Sequence, residues 1–274
     1  MHDVAVRVEE AASRALLAEI SLYPKPGLVS PVDSGAHRDM DLSTFHRSIE
    51  SLQGYFGAIA DAGGRGAPFH RLRDLGLLAE QSMLRATGGI NTHRGAIFSL
   101  GLLAAGAGWN EAHGLPLKGR LLVQTVVRLW GPDIEASHPT LPASHGSRVV
   151  ARYGARGARS EAAEGFPTLM EVALPAFREA ESRGADQDAA GIQSLFAVMA
   201  VLEDTNLIHR GGVEGLVHIQ NAARAFLEEG GVFQPRWWDR ALALHWDCIS
   251  RHLSPGGSAD VLASALFLRE LEGR

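Results

Sequence analysis

Residues 42–59 read LSTFHRSIESLQGYFGAI, and their spacing decides the fold class. Leu42, Phe45, Ile49, Leu52, Phe56 and Ile59 recur every three or four positions. On a helix they fall on one face; on a strand they would scatter over both. The pattern predicts a single amphipathic helix. The same period continues in both directions. Upstream, Val4, Val8, Ala12, Ala15 and Leu16 predict a helix that must stop before Tyr23-Pro24-Lys25-Pro26-Gly27, because two prolines and a glycine cannot continue it. Leu28 to Asp41 follows as a loop. Downstream, Leu72, Leu75, Leu78, Ala79 and Met83 mark a helix, and Lys118 to Trp130 another.

Between those two lies TGGINTHRGAIFSLG, residues 87–101. Gly88 and Gly89 permit a sharp turn. Asn91 or Thr92 is expected to cap a helix starting near His93, with Ile97, Leu100 and Leu103 facing inward. A helix N-terminus with a His and an Arg gathered at it suits a phosphate, although a plain turn between core helices would read the same way.

From Gly131 to Pro167 the pattern lapses into Gly, Pro, Ser, His and Arg, including Arg148, Arg152, Arg156 and Arg159. A stretch of that length inside a compact domain points to a ligand-facing role. Period returns at Thr168, where Thr168-x-x-Glu171 predicts a capping box. Further helices are predicted around Ile192 to Leu202, Val213 to Phe226, Trp238 to Ile249 and Val261 to Leu268. No alternating segment of strand length is present. The expectation is an all-α fold of about ten helices, residues 1–274 forming one domain with its active site at converging helix ends.

The chain has 274 residues, 46% of them hydrophobic and 21% charged, ample for one sizeable core. A net charge of −5 gives no basic footprint, so nucleic acid is not an expected partner. The single cysteine, Cys248, excludes an internal disulfide and fits a reducing compartment; a buried, inert thiol is expected. No secretory signal or membrane-spanning run is read, so a cytoplasmic protein is expected.

Polar residues gather at five predicted helix ends. These are Lys25 with Asp33, His37, Asp39 and Asp41; Asn91 with Thr92, His93 and Arg94; the arginine stretch 145–161; Asp204 with Asn206, His209 and Arg210; and Ser258 with Asp260. Each has a capping role available to it. Together they supply carboxylates for a hard cation such as Mg²⁺ and arginines for phosphate, which points to a nucleotide or another polyphosphate. Phosphoryl transfer, hydrolysis and glycosyl transfer all stay open. No P-loop, GxGxxG, CxxC or HExxH motif narrows the choice.

Six segments, in order, carry a resemblance: YPKPGLV (23–29), GAHRDMD (35–41), GGINTHRGAIFSLG (88–101), HG…YGARGARSEAAEGFP (145–167), EDTNLIHRGG (203–212) and SPGGSADVLA (254–263). They resemble the signature blocks of the triphosphoribosyl-dephospho-CoA synthases over nearly the whole chain. The resemblance implies a reaction of ATP with 3′-dephospho-CoA that releases adenine and keeps the triphosphate. Its product is the prosthetic-group precursor for the acyl carriers of citrate lyase or malonate decarboxylase. The run YPKPGLVSPVDSGAHRDMD leans toward the malonate-decarboxylase branch, and no transferase domain is appended. A downstream holo-acyl-carrier-protein transferase is the implied partner, and Mg²⁺ the implied cofactor alongside ATP.

By that resemblance Lys25, Arg94, Arg156, Arg159 and Arg210 are assigned to phosphates. His37, Asn91, Thr92, Asn206, His209 and Ser258 join them as substrate-binding residues. Asp204, Asp39 and His93 are the catalytic candidates, and Asp41 and Asp260 the metal candidates. A Mg²⁺-dependent nucleotide hydrolase and a non-catalytic helical scaffold stand as alternatives. The scaffold predicts that the five clusters scatter over the surface.

Overall fold

A computed structural model describes residues 2–137, 149 and 157–273. Arg148, Arg152 and Arg156 lie outside the described residues. Everything that follows concerns the described ones, among which the regular structure is entirely helical. The helices are α1 (His2–Ser21), α2 (Leu42–Ser51), α3 (Tyr55–Gly64), α4 (Phe69–Ala86), α5 (Arg94–Ala112) and α6 (Gly119–Ala136). After them come α7 (Ala158–Ala163), a π-helical turn (Thr168–Ala173) running into α8 (Leu174–Ser182), and α9 (Gln187–Met199). Then follow α10 (Thr205–Glu228), a 3₁₀ turn (Gly231–Phe233), α11 (Trp237–Ser250) and α12 (Gly256–Glu272).

The core is built around α5. Its residues from Leu100 to Ala107 are buried on every side, so an all-round small and apolar composition marks an interior helix. Helices α1, α3, α4, α6 and α12 pack about it. The approach of α3 to α5 is backbone to backbone. A Cβ on Gly108 would lie 1.8 Å from the Ala60 carbonyl oxygen, and one on Gly63 would lie 2.1 Å from that of Ala105. No helix is long and apolar enough to cross a membrane. Cys248 is buried, and burial pushes its thiol up to about 12.

Three expectations are corrected. The continuous helix predicted over 42–59 is two helices, because Gly54 adopts φ +85° and opens a second N-terminus. The Glu9 side chain on α1 holds that N-terminus, accepting from Gly54 N at 2.9 Å and Gly57 N at 2.8 Å. The apolar stripe keeps its phase across the break because Leu52, Tyr55 and Phe56 all stay buried. The capping box at Thr168 does not form with Glu171; Glu161 of α7 takes the Thr168 N–H at 3.1 Å and its hydroxyl at 2.9 Å. Finally, His209 and Arg210 are not in a loop but within the first turns of α10. That helix starts at Thr205 and is interrupted at Gly212, with φ +64° and ψ −166°.

The α3–α5 contact yields a direct test. Gly108→Ala gains about 1 kcal/mol of helix propensity, yet the overpacking cost of parting two helices is larger. A net loss of up to about 2 kcal/mol is expected from urea denaturation, with unchanged helical circular dichroism. An unchanged or higher midpoint would show that the two helices are free to separate.

Candidate active site

Five helix ends face a cavity of about 1150 Å³. The loop after α1 contributes Lys25, His37 and Asp39; the start of α5 contributes Asn91, Thr92, His93, Arg94 and Gly95. Helix α7 brings Arg159, α10 brings Asp204, Asn206, His209 and Arg210, and α12 brings Asp260. Leu72, Leu77 and Phe98 add an apolar flank. Most of the described expected residues therefore converge, which is the opposite of what a scaffold with scattered polar clusters requires.

Asp204 lies beneath this wall, 1% exposed, as the N-cap of α10. Its Oδ1 accepts from Asn206 N at 2.9 Å and Leu207 N at 3.4 Å. Its Oδ2 accepts from Ser258 N at 2.8 Å and Ser258 Oγ at 3.0 Å, reaching the first turn of α12. One carboxylate thus serves two helix N-termini. Burial raises its pKa, opposed by these hydrogen bonds. Ser258 is buried and serves Asp204 instead of facing the cavity.

Lys25 is 1% exposed, and its Nζ donates to the Glu19 carboxylate at 2.6 Å and the Glu19 carbonyl at 2.7 Å. The pairing makes a buried ammonium tolerable. The loop carrying Lys25 is held by His245, whose Nδ1 lies 2.8 Å from the Lys25 carbonyl and 3.3 Å from Gly27 N, and whose Nε2 is 3.1 Å from the Asp33 carboxylate.

Asp260 reaches from α12 to the start of α5. Burial, then the charges of Asp204 and Glu19, push its pKa well up, while the Ala96 N–H opposes them. Its carboxyl is packed so closely on Gly95 that a Cβ there would lie 1.9 Å from Oδ2. A carboxyl group already fills part of the α5 N-terminus, and the Asn91 side chain accepts from Arg94 N at 3.1 Å. The phosphate cradle expected at this helix end is accordingly narrowed to whatever those two groups leave.

His37 is held on both sides. Arg210 Nη2 donates to His37 Nδ1 at 3.0 Å, so the proton resides on Nε2, which donates to Ser254 Oγ at 2.9 Å. Burial, then Arg210, lowers its pKa to about 4. Asp39, exposed beside it, has Oδ1 3.8 Å from Nδ1. Asp39, His37 and Ser254 are the residue types of a hydrolytic triad, but the imidazole has no lone pair left to take the serine proton. Arg210 also donates to the carbonyls of Ala36 at 3.1 Å and His252 at 3.2 Å.

His93 is 3% exposed and precedes α5 as its N-cap residue. Its Nδ1 is 2.6 Å from Ser48 Oγ, and its Nε2 is buried with no hydrogen-bond partner. The Nε of Arg94, whose Nη2 pairs with Glu80, is likewise buried and unpartnered. An unmet buried polar atom costs about 1–3 kcal/mol, and these two lie on consecutive residues of the cavity wall. Burial, then the nearby Lys25 charge, lowers the His93 pKa to about 3.

Besides Ser258, one described residue of the expected set falls elsewhere. Asp41 is not in the cavity wall: it caps α2, accepting from Thr44 N at 2.9 Å, Thr44 Oγ1 at 2.8 Å and Ser43 Oγ at 2.7 Å. Those bonds lower its pKa to about 2, and the metal role expected of it finds no support in this geometry. Arg156 lies outside the described residues. Arg159 lines the cavity and donates to the Ser137 carbonyl. Among the described residues no three His, Cys, Asp or Glu side chains come close enough to hold a metal ion.

The sequence reading overlooked Glu19, Ser48 and Ser254. The first two carried a signal: Glu19 continues the buried stripe Ala12, Ala15, Leu16, and Ser48 lies between Phe45 and Leu52 at helical spacing. A polar residue in phase with a buried face asks for a partner. Ser254 lies just ahead of α12 and offers no comparable pattern.

Comparison with known proteins agrees with this geometry. Residues 5–274 match the family described as ATP:dephospho-CoA triphosphoribosyl transferase. A probable 2-(5″-triphosphoribosyl)-3′-dephosphocoenzyme-A synthase of Acinetobacter calcoaceticus is 40% identical over 268 residues, covering 98% of this chain and 92% of that protein. One of the same description from Stutzerimonas stutzeri is 42% identical, covering 97% and 92%, and one from Vibrio cholerae is 38% identical, covering 96% and 88%. No solved structure matches. With the family's match running almost end to end, the chain belongs to the ATP:dephospho-CoA triphosphoribosyl transferases and is a transferase.

Proposed function

We propose that the protein transfers the 5-triphosphoribosyl group of ATP to the 2′-hydroxyl of 3′-dephospho-CoA. Adenine leaves, and 2′-(5″-triphosphoribosyl)-3′-dephospho-CoA forms. The observation that carries this reading is the convergence of the family's blocks on one cavity of about 1150 Å³. That exceeds the roughly 300–1,000 Å³ usual for a single small ligand and suits two nucleotide substrates together.

In the transfer the bond from ribose C1 to the adenine nitrogen breaks and a bond from C1 to the acceptor oxygen forms. The proton lost by the hydroxyl is, in net terms, gained by adenine. Asp260, whose raised pKa keeps it protonated further up the pH scale than an ordinary carboxyl, is proposed to supply a proton toward the departing base. Asp39, at the exposed edge of the wall beside His37, is proposed to receive the hydroxyl proton. Lys25, Arg94, Arg159 and Arg210 are proposed to surround the triphosphate, with His37, Asn91, Thr92, Asn206 and His209 completing the substrate contacts. Asp204 and Ser258 hold the helices that carry them. Mg²⁺ is proposed to enter with the nucleotide as MgATP, since no group of three His, Cys, Asp or Glu forms a cage among the described residues.

The lean of residues 23–41 supports the malonate-decarboxylase branch, with the product passed to a carrier-protein transferase. A cytoplasmic location is proposed on the strength of the lone, buried Cys248.

Incubation with MgATP and dephospho-CoA, followed by mass spectrometry, is expected to yield adenine and the triphosphoribosyl product in equal amounts. ATP labelled on the γ-phosphate should leave its label in that product. Adenine release without dephospho-CoA, or stoichiometric free phosphate, would sink the transferase reading in favour of a hydrolase.

Asp260→Asn is expected to lower kcat by about 100-fold, the usual scale for losing a general acid. The same variant should gain stability relative to the wild type as pH rises. Native Asp260 retains a proton that the unfolded chain releases above the ordinary value of 3.8, so the wild type loses stability as pH climbs toward the raised pKa. Asparagine cannot ionise and escapes that loss. The melting temperature of the variant minus that of the wild type should therefore grow as pH rises above 3.8, on the order of degrees. A flat difference would place an ionised carboxylate at position 260.

A further inference from the structure

We propose that Ser48, on α2, is a positioning residue that fixes the tautomer of His93 so that its Nε2–H is presented to a neutral acceptor atom of the bound nucleotide. The proposal rests on the transferase reading for its ligand, but its first test does not.

The argument begins with three side chains in line. Thr92 Oγ1 donates to Ser48 Oγ at 2.7 Å, and Ser48 Oγ is 2.6 Å from His93 Nδ1. Ser48 is fully buried and His93 nearly so. A hydroxyl has one proton to give. With Thr92 donating into Ser48, the Ser48 proton goes to Nδ1, each hydroxyl satisfying the next. Nδ1 is then the acceptor, and the ring proton resides on Nε2.

That Nε2–H is the buried atom without a protein partner. The ring is kept from turning by Phe45, which meets it edge to face with centroids 5.0 Å apart. Lys25 nearby discourages a second proton on the imidazole. A neutral donor is matched to a neutral acceptor such as a purine ring nitrogen or a ribose oxygen, whereas a phosphate is better served by a cation. Arg94, the next residue, provides that cation, with its own Nε buried and unpartnered. Two adjacent donors of different charge thus face the junction between an uncharged and a charged part of one ligand. ATP has such a junction.

Nitrogen NMR of the histidine rings in the substrate-free protein is the first test. His93 is expected to show a pyridine-type Nδ1 and a pyrrole-type Nε2, unchanged between pH 8 and pH 5. A pyrrole-type Nδ1 in the wild type would overturn the proposal whatever the reaction proves to be. In Ser48→Ala the Nε2–H form should lose its dominance, and Ser48→Thr, which keeps the hydroxyl, should restore it. If the reaction is the one proposed, Ser48→Ala should cut kcat by about 100-fold, with ATP KM changing far less, and Ser48→Thr should recover most of it. A Ser48→Ala protein with a wild-type spectrum and wild-type kcat would show that the serine only fills space.

Discussion

The hydrogen bonds around the Asp204 carboxylate are the constraint on which this architecture hangs. Two helices, α10 and α12, point their N-termini at one buried anion, and each N-terminus would otherwise carry unmet N–H groups. Helix α10 bears Asn206, His209 and Arg210; α12 bears Asp260. The carboxylate therefore sets how far apart the cation-bearing and acid-bearing sides of the cavity stand. Both of its oxygens receive hydrogen bonds, from Asn206 and Leu207 on one and Ser258 on the other.

A similar economy runs through the rest of the cavity. Lys25 is matched by Glu19, Arg94 by Glu80, and Arg210 by three acceptors from two loops. These contacts orient the cations before any substrate enters. Charges fixed in advance need little reorganisation when negative charge arrives, which is where much of an enzyme's electrostatic advantage lies. The wall also keeps His37 and His93 neutral, so that the imidazoles here act through direction more than through charge.

The class of fold was legible from periodicity alone, because the helices around α5, such as α1 and α2, bury stripes that only a period near 3.6 can align. What periodicity could not show was where a stripe changes helix. Residues 42–59 keep their apolar phase across Gly54, and the break depends on Glu9, a side chain far away in sequence. The Thr168 box failed for the same kind of reason: Glu161 outcompetes Glu171 through tertiary placement. At the site, charge and motif order pointed to most of the wall. Asp41 shows the limit of that reasoning, since a carboxylate in a signature block here caps a helix outside the cavity wall. Glu19 and Ser48 show the converse, being polar residues hidden within apolar stripes.

Gly95 and Asp260 belong to different blocks of the chain, yet the fold makes them one choice. The carboxyl occupies the place where any side chain at position 95 would begin. A lineage could not exchange that glycine first without evicting the acid, nor would shortening the acid first leave a neutral intermediate if the acid does the work proposed for it. The two positions are expected to change together or not at all. Their joint identity is then a more discriminating marker of this active-site geometry than either residue taken singly, because it records a contact and not merely a composition.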